Sequence, residues 1–426
     1  MAGRPINPNW TVEPWAPDTN YAAGALPWSG TPTKVAWAGA PSVGITPKTG
    51  FPAQAFNYAI NKITSNAQAS KDVLDEQVTY TGQMHAMNWQ RHSIVNSFTV
   101  RGAAYNPVDR RWYVIGDNIS GTSQVRSSFT WGKTWTDTYV DAVDAGEDCR
   151  ALDYAANGDM VVTTTGRYVF MRLAGTWSRQ DVHASAIGTS LTCCAHDPIR
   201  GLYVAAAGVV GAAAAPLVRT SSNGTSWTIR TSPFAVSGDG PMTMHCRKDT
   251  GRIVWVTLNG SSTGLLISYS DDGGVTWSSQ VTISAGFIAW TTLALHYNPT
   301  TQKWMIIIGN TSTGARVYVS SDNGATWSLQ LTLATAGLGR GLASFGRMWV
   351  TLSAETVFSV SNTQVVYSLD DGATWKRTGQ GFDTSLPTMF GSEAAGGFMG
   401  VGSDTVPNAY AFASVAMGLP NLGTIA

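Results

Sequence analysis

The sequence is poor in charge. Only 13% of its 426 residues are Asp, Glu, Lys or Arg, well under the usual quarter. The 27 basic and 27 acidic residues cancel, and no basic run exceeds two residues. Binding by phosphate neutralisation has no footprint here, so no nucleic-acid partner is expected. No run of 18 apolar residues occurs, so no membrane-spanning helix is expected. The opening Met1-Ala-Gly-Arg-Pro5 lacks the apolar core of a secretion signal. That predicts synthesis in the cytosol and, for action outside, an exit by another route.

Cysteine is also scarce. Cys149, Cys193, Cys194 and Cys246 show no Cys-x-x-Cys spacing and no adjacent histidine cluster. They are expected as buried free thiols, and neither a metal nor a cofactor is expected. After Glu76 the only glutamates are Glu147, Glu355 and Glu393. A hydrolase working through paired carboxylates needs two of them on one bond. Glu147 and Asp148 are adjacent, so in a strand they would face opposite sides. No catalytic residue is assigned.

Glycine, at 45 residues, and tryptophan, at 17, are plentiful. Many of them belong to a repeated turn phrase, Ser-x-Asp-x-Gly-x-Thr-Trp. It occurs in full at Ser270–Trp277, Ser320–Trp327 and Ser368–Trp375. Its aspartates are Asp272, Asp322 and Asp370, and its tryptophans are Trp277, Trp327 and Trp375. Weaker copies end at Trp227 and Trp135, with a remnant at Ala174–Trp177. The Asp suits an Asx-turn, the Gly supplies positive φ, and Thr-Trp re-enters a strand. Asp271-Asp-Gly lacks the spaced carboxylates of a calcium loop, so the phrase is expected to be structural.

The tryptophans Trp135, Trp177, Trp227, Trp277, Trp327 and Trp375 are spaced by 42, 50, 50, 50 and 48 residues. Each interval holds three strand-like runs before the turn and one after it, which is the pattern of a propeller blade. Three further strands follow Trp375, at 386–390, 397–402 and 409–415. Trp89 lies 46 residues before Trp135, on the same period. Residues near Trp89 are therefore expected to supply the missing outer strand and close a seven-bladed ring. Six blades with an appendage is the alternative.

The turn phrase resembles the Asp-box (BNR) repeat of sialidase-like β-propellers, over roughly residues 85–426. In that family the box sits on a peripheral hairpin, so the resemblance implies fold rather than activity. Sialidases also need an arginine triad, a Tyr/Glu pair, an acid Asp and an early Arg-Ile-Pro. No Arg-Ile-Pro occurs here.

The first part of the chain is different. Residues 1–53 carry nine prolines together with Trp10, Trp15, Trp28 and Trp37. The prolines exclude helix and central strand. The tryptophans read as anchors on a partner surface, or else as packing on the chain's own propeller. Residues 54–80 follow a heptad seam through Phe56, Ile60, Ile63 and Leu74. That predicts a helix that self-associates, as a homotrimer, or one that packs as a single amphipathic helix. Ile6-Asn-Pro-Asn-Trp10 and Thr49–Asn61 resemble the N-terminal region of bacteriophage fibre and appendage proteins. The resemblance implies a virion location, attachment to other virion proteins through residues 1–53, and a projecting propeller at 81–426.

Arg101, Arg150 and Arg340 occupy similar places in the first strand of their repeats. If they converge, their guanidinium groups suit the carboxylate or sulfate of an acidic host glycan. Otherwise each bonds a neighbouring loop. His196 and His296 hold similar repeat positions, His183 and His245 do not, and the repeat-linked placement argues for a structural role. Three functions follow as expectations: a virion protein that recognises host-surface glycan, a glycan-cleaving tailspike, or a purely structural decoration.

Overall fold

The computed structural model describes residues 89–414 apart from short stretches at 97, 119–120, 142–146, 183–188, 210–215, 236–241, 260–263, 285–291, 311–313, 334–337, 358–359, 383–384, 393–396 and 404–407. The chain divides into two units, Met1–Glu76 and Gln77–Ala426. The anchoring arm and the heptad helix expected at 1–80 lie outside the described residues.

The described residues are all β. Strand β1 (Trp89–Asn96) precedes blade 1, which is β2 (Phe98–Asn106), β3 (Arg111–Asn118), β4 (Ser123–Ser128) and β5 (Thr136–Val140). Blade 2 is β6 (Cys149–Tyr154), β7 (Met160–Thr164), β8 (Tyr168–Leu173) and β9 (Thr176–Asp181). Blade 3 is β10 (Thr189–Asp197), β11 (Leu202–Val209), β12 (Leu217–Ser221) and β13 (Thr228–Arg230). Blade 4 is β14 (Thr243–Arg247), β15 (Arg252–Leu258), β16 (Gly264–Ser270) and β17 (Val281–Ser284). Blade 5 is β18 (Thr292–Asn298), β19 (Lys303–Asn310), β20 (Gly314–Ser320) and β21 (Ser328–Leu333). Blade 6 is β22 (Leu338–Phe345), β23 (Met348–Val357), β24 (Val360–Ser368) and β25 (Lys376–Phe382). The last sheet begins with β26 (Ser385–Ser392), β27 (Gly397–Ser403) and β28 (Asn408–Ser414).

Six four-stranded antiparallel sheets use consecutive strands, and the seventh is composite, in the order β1-β28-β27-β26. Trp89 pairs with Ser414 and Asn96 with Asn408. The strand expected near Trp89 thus closes the last blade. The first strands form a closed circuit, each beside the next, with β2 touching both β6 and β26. The architecture is a β-propeller.

Burial explains the strand patterns. Second strands lie between neighbouring blades, so β7 and all but the first residue of β15 are buried on both faces and read as continuous apolar runs. Outer strands such as β17 alternate half-buried and exposed residues, as expected with one face in water. Trp112, Trp255, Trp304 and Trp349 are the largest fully buried side chains, and all four stand in second strands.

The turn phrase works as a two-ended staple. In the turn after β16, the Asp272 carboxylate accepts the Thr276 N–H at 2.8 Å and the Thr276 hydroxyl at 2.5 Å. The Ser270 hydroxyl donates to Asp272 and accepts the Gly274 N–H, both at 2.8 Å. Asp322 and Asp370 repeat the arrangement. Gly274, Gly324 and Gly372 have φ of 83°, 88° and 86°, where only glycine is unstrained. They also touch the preceding blade: a Cβ on Gly324 would stand 2.9 Å from Val254 Cγ2, and one on Gly372 2.8 Å from Met305 Cε. Trp277, Trp327 and Trp375 pack into the apolar clusters between their own blade and the one before.

The weaker copies are modified rather than lost. In the first, the Thr130 hydroxyl takes the place of the carboxylate and accepts the Thr134 N–H at 2.9 Å. In the third, Asn223 accepts the N–H groups of Thr225 and Ser226. Ser221, not Thr220, takes the serine role toward Gly224, so this copy is one residue short. In blade 2 the phrase has shrunk to a two-residue hairpin. Ala174 and Gly175 have φ of 48° and 84°, as a type I′ turn requires.

Candidate functional site

The three arginines singled out in the sequence sit where the first strands slip register. The β2–β3 pairing skips at Arg101, β6–β7 at Arg150, and β22–β23 between Leu338 and Leu342, a span that includes Arg340. A bulge re-aims side chains away from the ladder. Nothing in the period-2 pattern announces it.

The bulges bring two of the arginines together on a shared carboxylate. Arg101 donates through Nε to Asp117 and through Nη2 to Asp148, both at 3.0 Å. Arg150 Nη2 lies 3.5 Å from the same Asp148 oxygen. Arg340 belongs to β22, and its side chain lies outside the described atoms. Asp117 is nearly sealed, with 5% of its side chain exposed. Its carboxylate also accepts the Cys149 N–H at 2.9 Å. Burial raises the Asp117 pKa, against the pull of Arg101 and the Cys149 N–H. Asp148 therefore sits between the two arginines and offsets part of their charge. Arg150 remains the more open of the two, with its long contact to Asp148 as its one ion pair among the described residues.

Glu147 and Asp148 do diverge, as their adjacency predicted. Glu147 accepts the Thr164 hydroxyl at 2.9 Å, whereas Asp148 turns to the arginines. They lie just before β6 rather than within it, and no shared face unites them.

The other ends of the first strands carry a second ionic clasp that the sequence did not announce. Lys248 Nζ donates to both oxygens of Asp153 at 2.9 and 2.8 Å and reaches the carbonyls of Tyr154 and His196, each at 3.1 Å. This one ammonium joins blades 2, 3 and 4. Burial opposes its charge, but Asp153 and its neighbours outweigh burial and raise its pKa.

Histidines fill the ring between later blades. His245 and His296 lie 4.7 Å apart by ring centroid, and His296 Nε2 is 3.1 Å from the Ser344 hydroxyl. Burial lowers the His245 pKa to about 3, and that of His196 to about 4 with help from Lys248. His296 is lowered as well, by burial and by His245. These imidazoles are neutral packing groups, and Trp304 and Trp349 meet them edge-on. His183 lies outside the described residues.

All four cysteines are buried and free, as the sequence predicted. Burial raises Cys149, Cys193 and Cys246 to about 12. Among the described residues no group of three or more His, Cys, Asp or Glu is placed to hold a metal. Trp10, Trp15, Trp28, Trp37, Phe56, Ile60, Ile63 and Leu74 lie outside the described residues.

A second repeated turn was missed in the sequence. Asn106 donates to the Gly158 carbonyl of the next blade at 2.9 Å, and Asn298 does the same to Gly346. Each precedes a proline, and Asp197-Pro holds the equivalent place. The recurring Asn/Asp-Pro was the available signal.

No family model matches the chain, and no curated protein matches it. Solved structures do. YCF48 bound to D1 peptide is 13% identical with a TM-score of 0.52, covering 76% of this chain and 97% of that one. YCF48 from Cyanidioschyzon merolae is 14% identical with a TM-score of 0.52, covering 76% and 98%. Kuenenia stuttgartiensis hydrazine synthase is 10% identical with a TM-score of 0.51, covering 77% and 98%. At such identities the likeness is one of fold: this chain is a β-propeller like those.

Proposed function

We propose that the chain is a bacteriophage virion appendage whose propeller binds an acidic glycan of the host surface without cutting it. The observation that carries the display role is the closure. β1, the first described strand, is the outermost strand of the composite blade. A pull on the chain before Trp89 would meet the seven-residue pairing of β1 with β28. The Asp-box resemblance of the turns and the phage-like phrases near Trp10 and at Thr49–Asn61 support the setting.

Binding is favoured over cleavage by the way the carboxylates near the bulged strands are used. Asp117 and Asp148 hold Arg101 and Arg150, and Glu147 holds Thr164. A cleaving site needs one carboxyl to give a proton and another to attack or to activate water. Arg150, more open than Arg101, is the group best placed to meet a sugar carboxylate. Trimerisation through Phe56, Ile60, Ile63 and Leu74 would let weak sugar contacts add through effective concentration.

The test is to incubate the full chain with purified host capsular polysaccharide. Retention of polymer at unchanged length supports binding. Shortened polymer would move the function to a tailspike enzyme, and neither retention nor shortening would leave a decoration role. Sedimentation of the full chain beside one starting near Gln83 tests the trimer, which should become a monomer in the shorter chain.

A further inference from the structure

Among the described residues, Arg219 is a buried arginine with no partner for its charge. It stands in the middle of β12 with 7% of its surface exposed. Its Nε and Nη1 are sealed from water and have no hydrogen-bond partner. No ion pair or cation–π contact reaches it among the described residues. The other deeply set arginines are compensated: Arg126 by Asp137, Arg172 by Asp109 and Arg179 by Asp141. The sequence removes the nearest alternative, because no Asp or Glu occurs between Asp197 and Asp239. Blade 3 thus has no carboxylate of its own in β11, β12 or β13.

The placement is specific. Arg219 pairs with Ala205 on β11 and Ile229 on β13. Ala205 belongs to the apolar cluster between blades 2 and 3, which includes Val161, Val169 and Met171. Cross-strand partners share a face, so Arg219 lies on the face of blade 3 that is turned to blade 2. Burial pulls the guanidinium below its ordinary range, with no neighbouring charge to hold it up. Even so, arginine stays charged in proteins. An unpaired buried charge is strongly unfavourable, and a bound ion is one standard resolution of an orphaned buried group.

We propose that Arg219 is an anion-binding site between blades 2 and 3, and that its ligand is an oxyanion, either a carboxylate or a sulfate-like group. A guanidinium N–H gives such a group a charge-assisted hydrogen bond. Nη2 is not among the sealed atoms, so one corner of the group can be approached. The same chemistry has two sources, a free anion or the uronate or sulfate of a glycan. The glycan source rests on the function proposed above; the free-anion source does not.

The experiment uses the full chain and its Arg219→Met variant in buffers of fixed ionic strength. Sodium sulfate, sodium glucuronate and a polyuronate are each titrated by calorimetry, with sodium chloride as control, and thermal midpoints are recorded alongside. Without oxyanion, Arg219→Met is expected to melt at or above the wild-type midpoint, because an uncompensated charge has been removed. With oxyanion, the wild-type midpoint should rise and the variant's should not. Affinity in the variant should fall by about tenfold or more, the loss of a charge-assisted pair. Binding of sulfate and glucuronate without polyuronate supports the site with a free-anion ligand, and the glycan role then fails separately. Binding of all three supports the site with a glycan ligand. Should Arg219→Met fail to fold, Arg219→Lys keeps the charge but removes the fork, and it should bind more weakly than wild type. Absence of saturable oxyanion binding to the wild-type chain, or equal binding by a folded variant, overturns the proposal.

Discussion

Blades 5 and 6 are joined differently from blades 1 and 2. Between 5 and 6 the full turn phrase docks on the earlier blade. Gly372 approaches Met305 and Val317, and Trp375 caps a cluster containing Met305, Ile307 and Trp349. A cation crosses, Lys303 Nζ to Asp371 at 2.6 Å, while Asp371 also accepts the Trp349 indole N–H at 3.0 Å. Between 1 and 2 the phrase has shrunk to Ala174-Gly175. A Cβ on Gly175 would meet nothing within 4 Å. There the junction carries charge: Arg101 to Asp148, Arg172 to Asp109 and Arg179 to Asp141. Trp177 still packs against the cluster that contains Tyr113 and Phe170 and stacks on Tyr139. Where the docking turn is missing, ion pairs take up its work, and the ring remains closed by two chemistries.

The sharpest break between them is a matched substitution. Gly372→Ala and Gly175→Ala both place a side chain at a φ near 85°, which costs about 1–2 kcal/mol in each. Only Gly372→Ala also collides with the preceding blade. It is expected to lose about 1–3 kcal/mol more in urea unfolding. Equal losses would show that the full turn does not dock.

Removing the turn acceptor comes next. Asp370→Ala strips the partners of the Thr374 N–H and hydroxyl and should cost about 1–2 kcal/mol, by analogy with capping residues. Asp370→Asn, which keeps one acceptor as Asn223 does in blade 3, should cost less.

Acid should separate the two junctions by sign. Burial alone would raise the pKa of Asp272, Asp322 and Asp370, but the threonine and serine hydrogen bonds outweigh it and hold each below its ordinary value. Their contribution is present above the unfolded pKa near 3.8 and is lost as pH falls through the lower folded value. Asp117 is raised instead, so the shift at this site in the charged junction favours folding more in acid than at neutral pH. The neutral histidines act earlier. Between the unfolded pKa near 6.5 and their lowered folded values, the unfolded chain binds more protons, so stability falls as pH drops. A pH series of unfolding midpoints should decline below about 6.5, and His296→Asn should flatten that decline.

Salt is the smallest lever. Raising sodium chloride should loosen the β2–β6 junction by under about 1 kcal/mol per exposed pair and loosen β18–β22 less, where the Lys303–Asp371 pair crosses. Hydrogen exchange on β6 and β22 amides reads both in one sample.

Much of this architecture was legible in the sequence because turns and tryptophans recur with a fixed period. The runs at 386–390, 397–402 and 409–415 became β26, β27 and β28 to within two residues, and Trp89 marked the closing strand. The site was less legible. A bulge adds a residue without changing composition, so nothing marked Arg101 and Arg150 as displaced from the ladder. Asp148 could be counted but not placed, since its partner Arg101 lies 47 residues away. Lys248 and Asp153, 95 residues apart, meet only because the first strands of blades 2, 3 and 4 pack side by side. Arg219 was visible as an arginine in an acid-free stretch, but its burial depends on the neighbouring blade.

The closure itself is the claim on which the rest depends, and one measurement reaches it directly. Hydrogen exchange of the β28 amides, Asn408–Ser414, would be compared between the full chain and a chain starting at Phe98. The account predicts strong protection in the full chain and its loss in the shorter one at the amides bonded to β1, together with a lower unfolding midpoint, because β1 is one of the two strands that pair with β28. Unchanged protection without residues 1–97 would contradict it.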